Sequence, residues 1–235
     1  MNELKAYNPW PTVFKKTWDF DFENNLKDKV ISSLKASDKF TTEMNIETPE
    51  RNGGVTTVVL DQDPNHPMPH MWPEFKEFGQ FVLQTSREVV QKWHCNPAAQ
   101  RAIAKSWINV HPQDGYTIEH NHHGVLMAVV AYLYVPPNGG NLLVKNPLTP
   151  YKFGEPIHPG YFSDVASDND GLEWTPIQVD TNDVVFFPGW LNHKTEKNMS
   201  RQNRFVMSWN ISYASETQML VAGNINNSQP VFGHK

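Results

Sequence analysis

The sequence predicts an α+β fold that is mainly β, with helices packed outside an antiparallel barrel. Three observations lead there. Eighteen prolines and 13 glycines among 235 residues cut the chain into short pieces, which suits sheets joined by turns better than a helical bundle. Helical periodicity falls within the first hundred residues. After Pro97 the chain becomes a series of short β-branched and aromatic runs parted by Gly, Pro, Asn and Asp, the pattern of an antiparallel sheet domain.

Taken in order, residues 21–35 place Phe22, Leu26, Val30 and Leu34 four apart with polar residues between them. That spacing makes one apolar stripe, the mark of a helix covering a sheet. Residues 54–60 are rich in Val and Thr and lie between Asn52-Gly53 and the turn-like stretch 61–64, so they read as a strand. Pro73 suits a first helical turn, and Phe75, Phe78, Val82, Val89 and Trp93 keep a 3.6-residue period to about Cys95. Strands are expected over 104–111, 125–135, 141–145, 175–179, 184–187 and 204–213. Residues 146–174 hold four prolines and the polar run 167–171, and read as a long loop over the barrel mouth. We expect a single domain over 1–235: support from 1–100, a β core over 101–213 with the 146–174 insertion, and a C-terminal extension at 214–235.

Composition excludes several classes. Twenty basic against 25 acidic residues leave a net charge of −5, and no run of Lys and Arg could track a phosphate backbone, so nucleic acid is unsupported as a partner. Cys95 is the single cysteine and cannot form an internal disulfide. The N-terminus has no apolar signal region, and no stretch approaches the roughly 18 apolar residues of a membrane span, which together point to the cytoplasm and away from a membrane. Assembly is not written in the sequence, and a homodimer stays open.

Two stretches carry chemistry. Segment 115–124 reads Gly-Tyr-Thr-Ile-Glu-His-Asn-His-His-Gly, with His120 and His122 two apart. In extended backbone such residues project to one face, so both rings could meet one cation, and a third ligand must come from elsewhere. A solvated, His-rich turn is the alternative. The apolar run from Asp183 ends in Pro188-Gly189 and delivers His193; eleven residues later Arg204 opens a strand whose one face carries Arg204, Val206, Ser208 and Asn210, and the other Phe205, Met207 and Trp209. Burying a guanidinium without an anion costs several kcal/mol, so something negative is expected there, and a carboxylate matches its planar fork. A surface ion pair is the plainer reading. His66, His70, His111 and His123 read as solvated histidines, although His123 could line a substrate mouth; Trp190 reads as core rather than a substrate wall, and Asp183 as a residue that shapes its turn. Asn109, on the face of Trp107, could hydrogen-bond a ligand or be a satisfied interior amide.

With these residues in place, the chain resembles the 2-oxoglutarate/Fe(II) oxygenases, in particular a bacterial and phage subset related to prolyl hydroxylases. The resemblance covers roughly 106–213 and rests on Trp107-Ile108-Asn109, the His120-x-His122 pair before 125–136, the run 184–188 leading to His193, and the strand 204–210. It implies a double-stranded β-helix, that is, a jelly-roll or cupin-like barrel, holding Fe(II) on two histidines and a carboxylate and leaving places for 2-oxoglutarate and O2. His120 and His193 would be the two histidine ligands. Arg204 would bind the distal carboxylate of 2-oxoglutarate, helped by Ser208, Tyr132 and Asn109.

One departure matters: His122 stands where the family has Asp or Glu. Three neutral imidazoles would leave the ion at +2 instead of +1 and tighten its hold on an anionic cosubstrate. A second register makes His122 the ligand and puts Gly124 at the carboxylate position, the kind of opening that iron halogenases use for halide. Glu119 could also swing in. The resemblance implies an enzyme that hydroxylates a small molecule or peptide and converts 2-oxoglutarate to succinate and CO2. Two other readings stand beside it: a three-histidine dioxygenase that needs no 2-oxoglutarate, and a metal-binding jelly roll without catalysis.

Overall fold

The computed structural model describes residues 5–7, 13–35, 46–47, 55–56, 67–147 and 173–214. The chain opens with strands β1 (Lys5–Tyr7) and β2 (Val13–Thr17), then helices α1 (Phe22–Asn25) and α2 (Lys27–Lys35). Short strands β3 (Ile46–Glu47) and β4 (Val55–Thr56) precede two 3-10 turns at Pro69–Met71 and Pro73–Phe75, which lead into α3 (Lys76–Lys92). The β core then runs through β5 (Arg101–His111), β6 (Tyr116–Thr117), β7 (Met127–Tyr134) and β8 (Leu142–Lys145). It closes with β9 (Trp174–Ile177), β10 (Asp183–Pro188), β11 (His193–Thr195) and β12 (Arg204–Tyr213).

A seven-stranded sheet has the order β1-β2-β10-β7-β12-β5-β4, a three-stranded sheet the order β11-β8-β9, and β3 pairs with β6. All these pairings are antiparallel. An isolated bridge between His120 and His193 attaches the segment after β6 to the edge of the small sheet. From β7 to β12 the chain therefore crosses between the large and the small sheet at every step but one, the antiparallel neighbours β8 and β9.

The alternation of side chains gives the large sheet two apolar faces. One carries Ile108, Val110, Met127, Val129, Phe186, Phe205, Met207 and Trp209, and Phe22, Leu26, Val30, Phe75, Phe78, Val82 and Val89 from the helices pack onto it. Each such side chain contributes roughly 1.5–3 kcal/mol when fully buried, so this layer holds the helices on the sheet. The other face meets the small sheet through Val130, Tyr132, Leu142, Val144, Ile177, Val185, Phe187 and Val206. This second layer contains the candidate site.

Several expectations are corrected. Two strands that were not expected, β1 and β2, lie ahead of α1, and β2 pairs with β10. Lys15 on β2 reaches Asp183 at 2.7 Å, and Asp183 also accepts from Asp180 N at 3.0 Å. The turn-shaping acid thus anchors a second strand as well. The strand expected from 104 begins at Arg101, whose guanidinium donates to Ala99 O and Pro97 O. Trp174, assigned to the long loop, opens β9. Residues 57–60, most of that loop (148–172) and 215–235 of the C-terminal extension lie outside the described residues.

Candidate metal centre

β10 ends at Pro188 in a turn closed by Leu191 N donating to Pro188 O at 3.0 Å. The turn presses so closely on the segment before β7 that a Cβ added to Gly189 would lie 2.3 Å from Val125 O. Gly189 O accepts from His122 N at 2.8 Å, fixing that segment from the other side. Beyond the turn, His193 and His120 exchange backbone hydrogen bonds: His193 N to His120 O at 2.9 Å and His120 N to His193 O at 3.0 Å. The sequence placed His120 and His122 on a regular strand. Instead β6 ends at Thr117, and the single bridge holds His120 extended.

Three rings converge as a result. Ring centroids are 4.2 Å apart for His120 and His193, 5.1 Å for His120 and His122, and 5.1 Å for His122 and His193, the last pair stacked at 7°. One ring nitrogen from each lies within 4.8 Å of the others, and Nε2 of His122 is 3.4 Å from Nε2 of His193. A first-row ion with metal–nitrogen bonds of about 2.1 Å spaces neighbouring ligand atoms by about 3.0–3.4 Å. The His122–His193 separation fits such an ion, and a pair as far apart as 4.8 Å must close by about 0.6 Å or more to share it. Gly124 lies in a turn at φ +74°, and His120 is inside the cluster, so the alternative register would leave a third imidazole within reach.

Backbone carbonyls set the protonation of two rings. His120 Nδ1 is 2.8 Å from Ile118 O and His193 Nδ1 is 2.9 Å from Leu191 O, each the carbonyl two residues earlier. A proton held on Nδ1 leaves the Nε2 lone pair free for an ion. Burial lowers the pKa of all three histidines, and takes His122 to about 4. At neutral pH they are uncharged, the form that binds a metal. Phe187 packs edge-on to His193 at 4.7 Å and Trp107 stacks on His122 at 5.6 Å. Glu119 stays outside, its Oε1 held at 2.8 Å by both Lys145 Nζ and Asn192 Nδ2.

Arg204 is fully buried on the inward face. Its Nη1 donates to Gly139 O and Gly140 O, and its Nη2 to Thr195 Oγ1 at 2.9 Å and Glu196 O at 3.3 Å. All four terminal N–H groups are thus committed to three carbonyls and a hydroxyl, so the carboxylate expected on the planar fork is not its partner. Glu196 directs its own carboxylate to Asn141 N and Nδ2. Loop 135–141 also lines a cleft of about 620 Å³ with Val179, Asp180, Glu196, Lys197 and Met199.

What remains around the guanidinium is unpartnered. Arg204 Nε, Tyr132 Oη and His111 Nδ1 are buried without a hydrogen bond, as is Asn109 Oδ1 on the same face. Burial lowers the pKa of Arg204 to about 10, so it stays charged, and the same effect raises that of Tyr132. An orphaned buried polar group costs about 1–3 kcal/mol. A hydroxyl and an N–H left open beside a cation suit a small anion. Ser208 shares this face, paired with Trp107 across β5.

Three expectations about other residues fail. His111 is fully buried rather than solvated, with Nε2 2.8 Å from Thr117 Oγ1, and sequence reading missed it because it ends a strand beside a Pro. His70 bonds Ser106 Oγ at 2.7 Å, and burial takes its pKa to about 4. Trp190, expected in the core, is 53% exposed. His66 lies outside the described residues.

Residues 105–210 match the family model described as "Putative 2OG-Fe(II) oxygenase". That match covers the β core from β5 to β12, somewhat less than half of the chain. Similar solved structures include the non-heme alpha ketoglutarate dependent carbocyclase SnoK from nogalamycin biosynthesis, at 13% identity and TM-score 0.51, over 94% of this chain and 90% of that one. The epimerase SnoN from the same biosynthesis aligns at 9% identity and TM-score 0.50, over 86% and 79%. An oxidoreductase of the 2OG-Fe(II) oxygenase family from Burkholderia pseudomallei aligns at 13% identity and TM-score 0.42, over 61% of this chain and 58% of its own length. No curated protein matches the sequence. Among the described residues no helix is long and apolar enough to cross a membrane.

Proposed function

We propose that the protein is a 2-oxoglutarate- and Fe(II)-dependent dioxygenase that hydroxylates a small molecule or a peptide, on a double-stranded β-helix. The observation that carries this reading is the convergence of His120, His122 and His193 on the layer that also buries Arg204. His120, His122 and His193 would hold the iron through Nε2. Arg204 Nε and Tyr132 Oη would receive the distal carboxylate of 2-oxoglutarate, with Ser208 and Asn109 beside its path. Bound iron, 2-oxoglutarate and O2 supply the oxidising power, with 2-oxoglutarate ending as succinate and CO2. The protein's own part is to keep three rings neutral and oriented, to leave the ion a formal +2 that favours an anionic cosubstrate, and to exclude water with Phe187 and Trp107.

Anaerobic titration with Fe(II) and 2-oxoglutarate tests the reading. A weak visible charge-transfer band is expected, and admitting O2 should release succinate. Arg204→Ala should weaken 2-oxoglutarate binding at least tenfold. No band, together with unchanged cosubstrate affinity in Arg204→Ala, ends the proposal. The committed fork of Arg204 and the missing carboxylate favour a second reading, a three-histidine dioxygenase that binds its organic substrate at the ion. Under it, O2 is consumed without succinate.

A further inference from the structure

His120 and His193 each have a backbone carbonyl at Nδ1. His122 has no such carbonyl among its hydrogen bonds, and its ring lies against those of His120, His193 and Trp107. An imidazole can carry its proton on either nitrogen, and a proton on Nε2 would turn the ring from a ligand into a donor facing its neighbours. A carboxylate at this position would raise no such question. The imidazole needs an acceptor at Nδ1.

The register of β12 shows where one lies. Asn210 pairs with Ala128 on one side and Lys105 on the other, and Ala128 belongs to the layer between the sheets. Asn210 therefore shares the inward face with Ser208, whose partner Trp107 stacks on His122. Asn210 Oδ1 is buried and without a hydrogen-bond partner. We propose that Asn210 is a positioning residue: its Oδ1 accepts the Nδ1 proton of His122 and holds the Nε2 lone pair toward His120 and His193. The favourable influence of the Asn210 amide on the protonated His122 ring agrees with an acceptor aimed at it. Asn210 thereby does for the third ring what Ile118 O and Leu191 O do for the other two. This rests on the three-imidazole reading of the site, and concerns how the third ring is kept in its ligand form.

The experiment uses metal-free full-length protein. Long-range proton–nitrogen NMR spectra report which ring nitrogen of His122 carries the proton, with assignment by loss of the signals in His122→Gln. The expected result is a proton on Nδ1 in the natural sequence. Asn210→Leu, close in volume but without an acceptor, should move population to the Nε2-protonated form. It should also weaken Co(II) binding about 10- to 100-fold, as loss of a ligand's supporting hydrogen bond does. Asn210→Asp keeps an acceptor, and should retain the tautomer and bind Co(II) within a few-fold of the natural protein. Unchanged His122 nitrogen shifts in Asn210→Leu overturn the proposal, and so does a wild-type ring protonated on Nε2, which needs no variant to fold. Because the tautomer is read without iron or 2-oxoglutarate, it can fail while succinate release succeeds, or hold while succinate release fails.

Discussion

Tyr132 is the residue at which stability and binding should separate most cleanly. Its ring packs in the layer between the sheets, while its hydroxyl is buried and unpartnered. Tyr132→Phe keeps the ring and removes the orphan. Chemical denaturation should therefore show the metal-free variant as stable as the parent or up to about 1 kcal/mol more so, while the dissociation constant for 2-oxoglutarate rises about tenfold and Co(II) affinity stays level. A variant that loses stability instead has lost an internal hydrogen bond, and the assignment of Tyr132 to an anion fails. At this scale much was legible in the sequence. The two-residue spacing of His120 and His122, and the inward face of Arg204, Ser208 and Asn210, follow from extended-chain alternation. The burial of His111 and the exposure of Trp190 were not legible, since both depend on neighbours far along the chain.

At the scale of the element, the turn after β10 is the part that aims His193. It is held between Val125 O and the His122 amide, and space at Gly189 is too small for a methyl group. Gly189→Ala must push the turn away from the segment that carries His122. A loss of about 1–3 kcal/mol is expected from the forced backbone shift, together with a fall in Co(II) affinity of tenfold or more, read by calorimetry. Retention of both would mean that the turn does not set the spacing of the rings. The main β strands were readable because their apolar runs end at turn residues. β2 was not. It is five residues with Lys15 and Lys16 inside it, and Lys15 reaches Gln178 O and Asp183, more than 160 residues away.

Across the whole molecule, two buried and three partly buried histidines among the described residues make stability depend on pH. Burial lowers the pKa of His70, His111, His120, His122 and His193, His70 and His122 to about 4. The unfolded chain takes up protons near its ordinary value of about 6.5, before the folded form does. Stability is thus complete above pH 6.5 and falls as pH drops from there toward 4, by up to about 1.4 kcal/mol per pH unit for each such group. Denaturation midpoints of the metal-free protein at pH 7.5, 5.5 and 4.5 should decline in that order, and a flat profile would show that these rings are hydrated. The arrangement of Arg204 adds a different kind of dependence. Its guanidinium fastens the 139–140 loop to Thr195 and Glu196, and Thr195 stands two places from His193 on β11. An acid that recruits any of those committed hydrogens must release a carbonyl or the threonine hydroxyl, and the strand bearing His193 feels the change. Binding of an acid beside Arg204 would in this way bear on ring placement, through three residues of a single short strand.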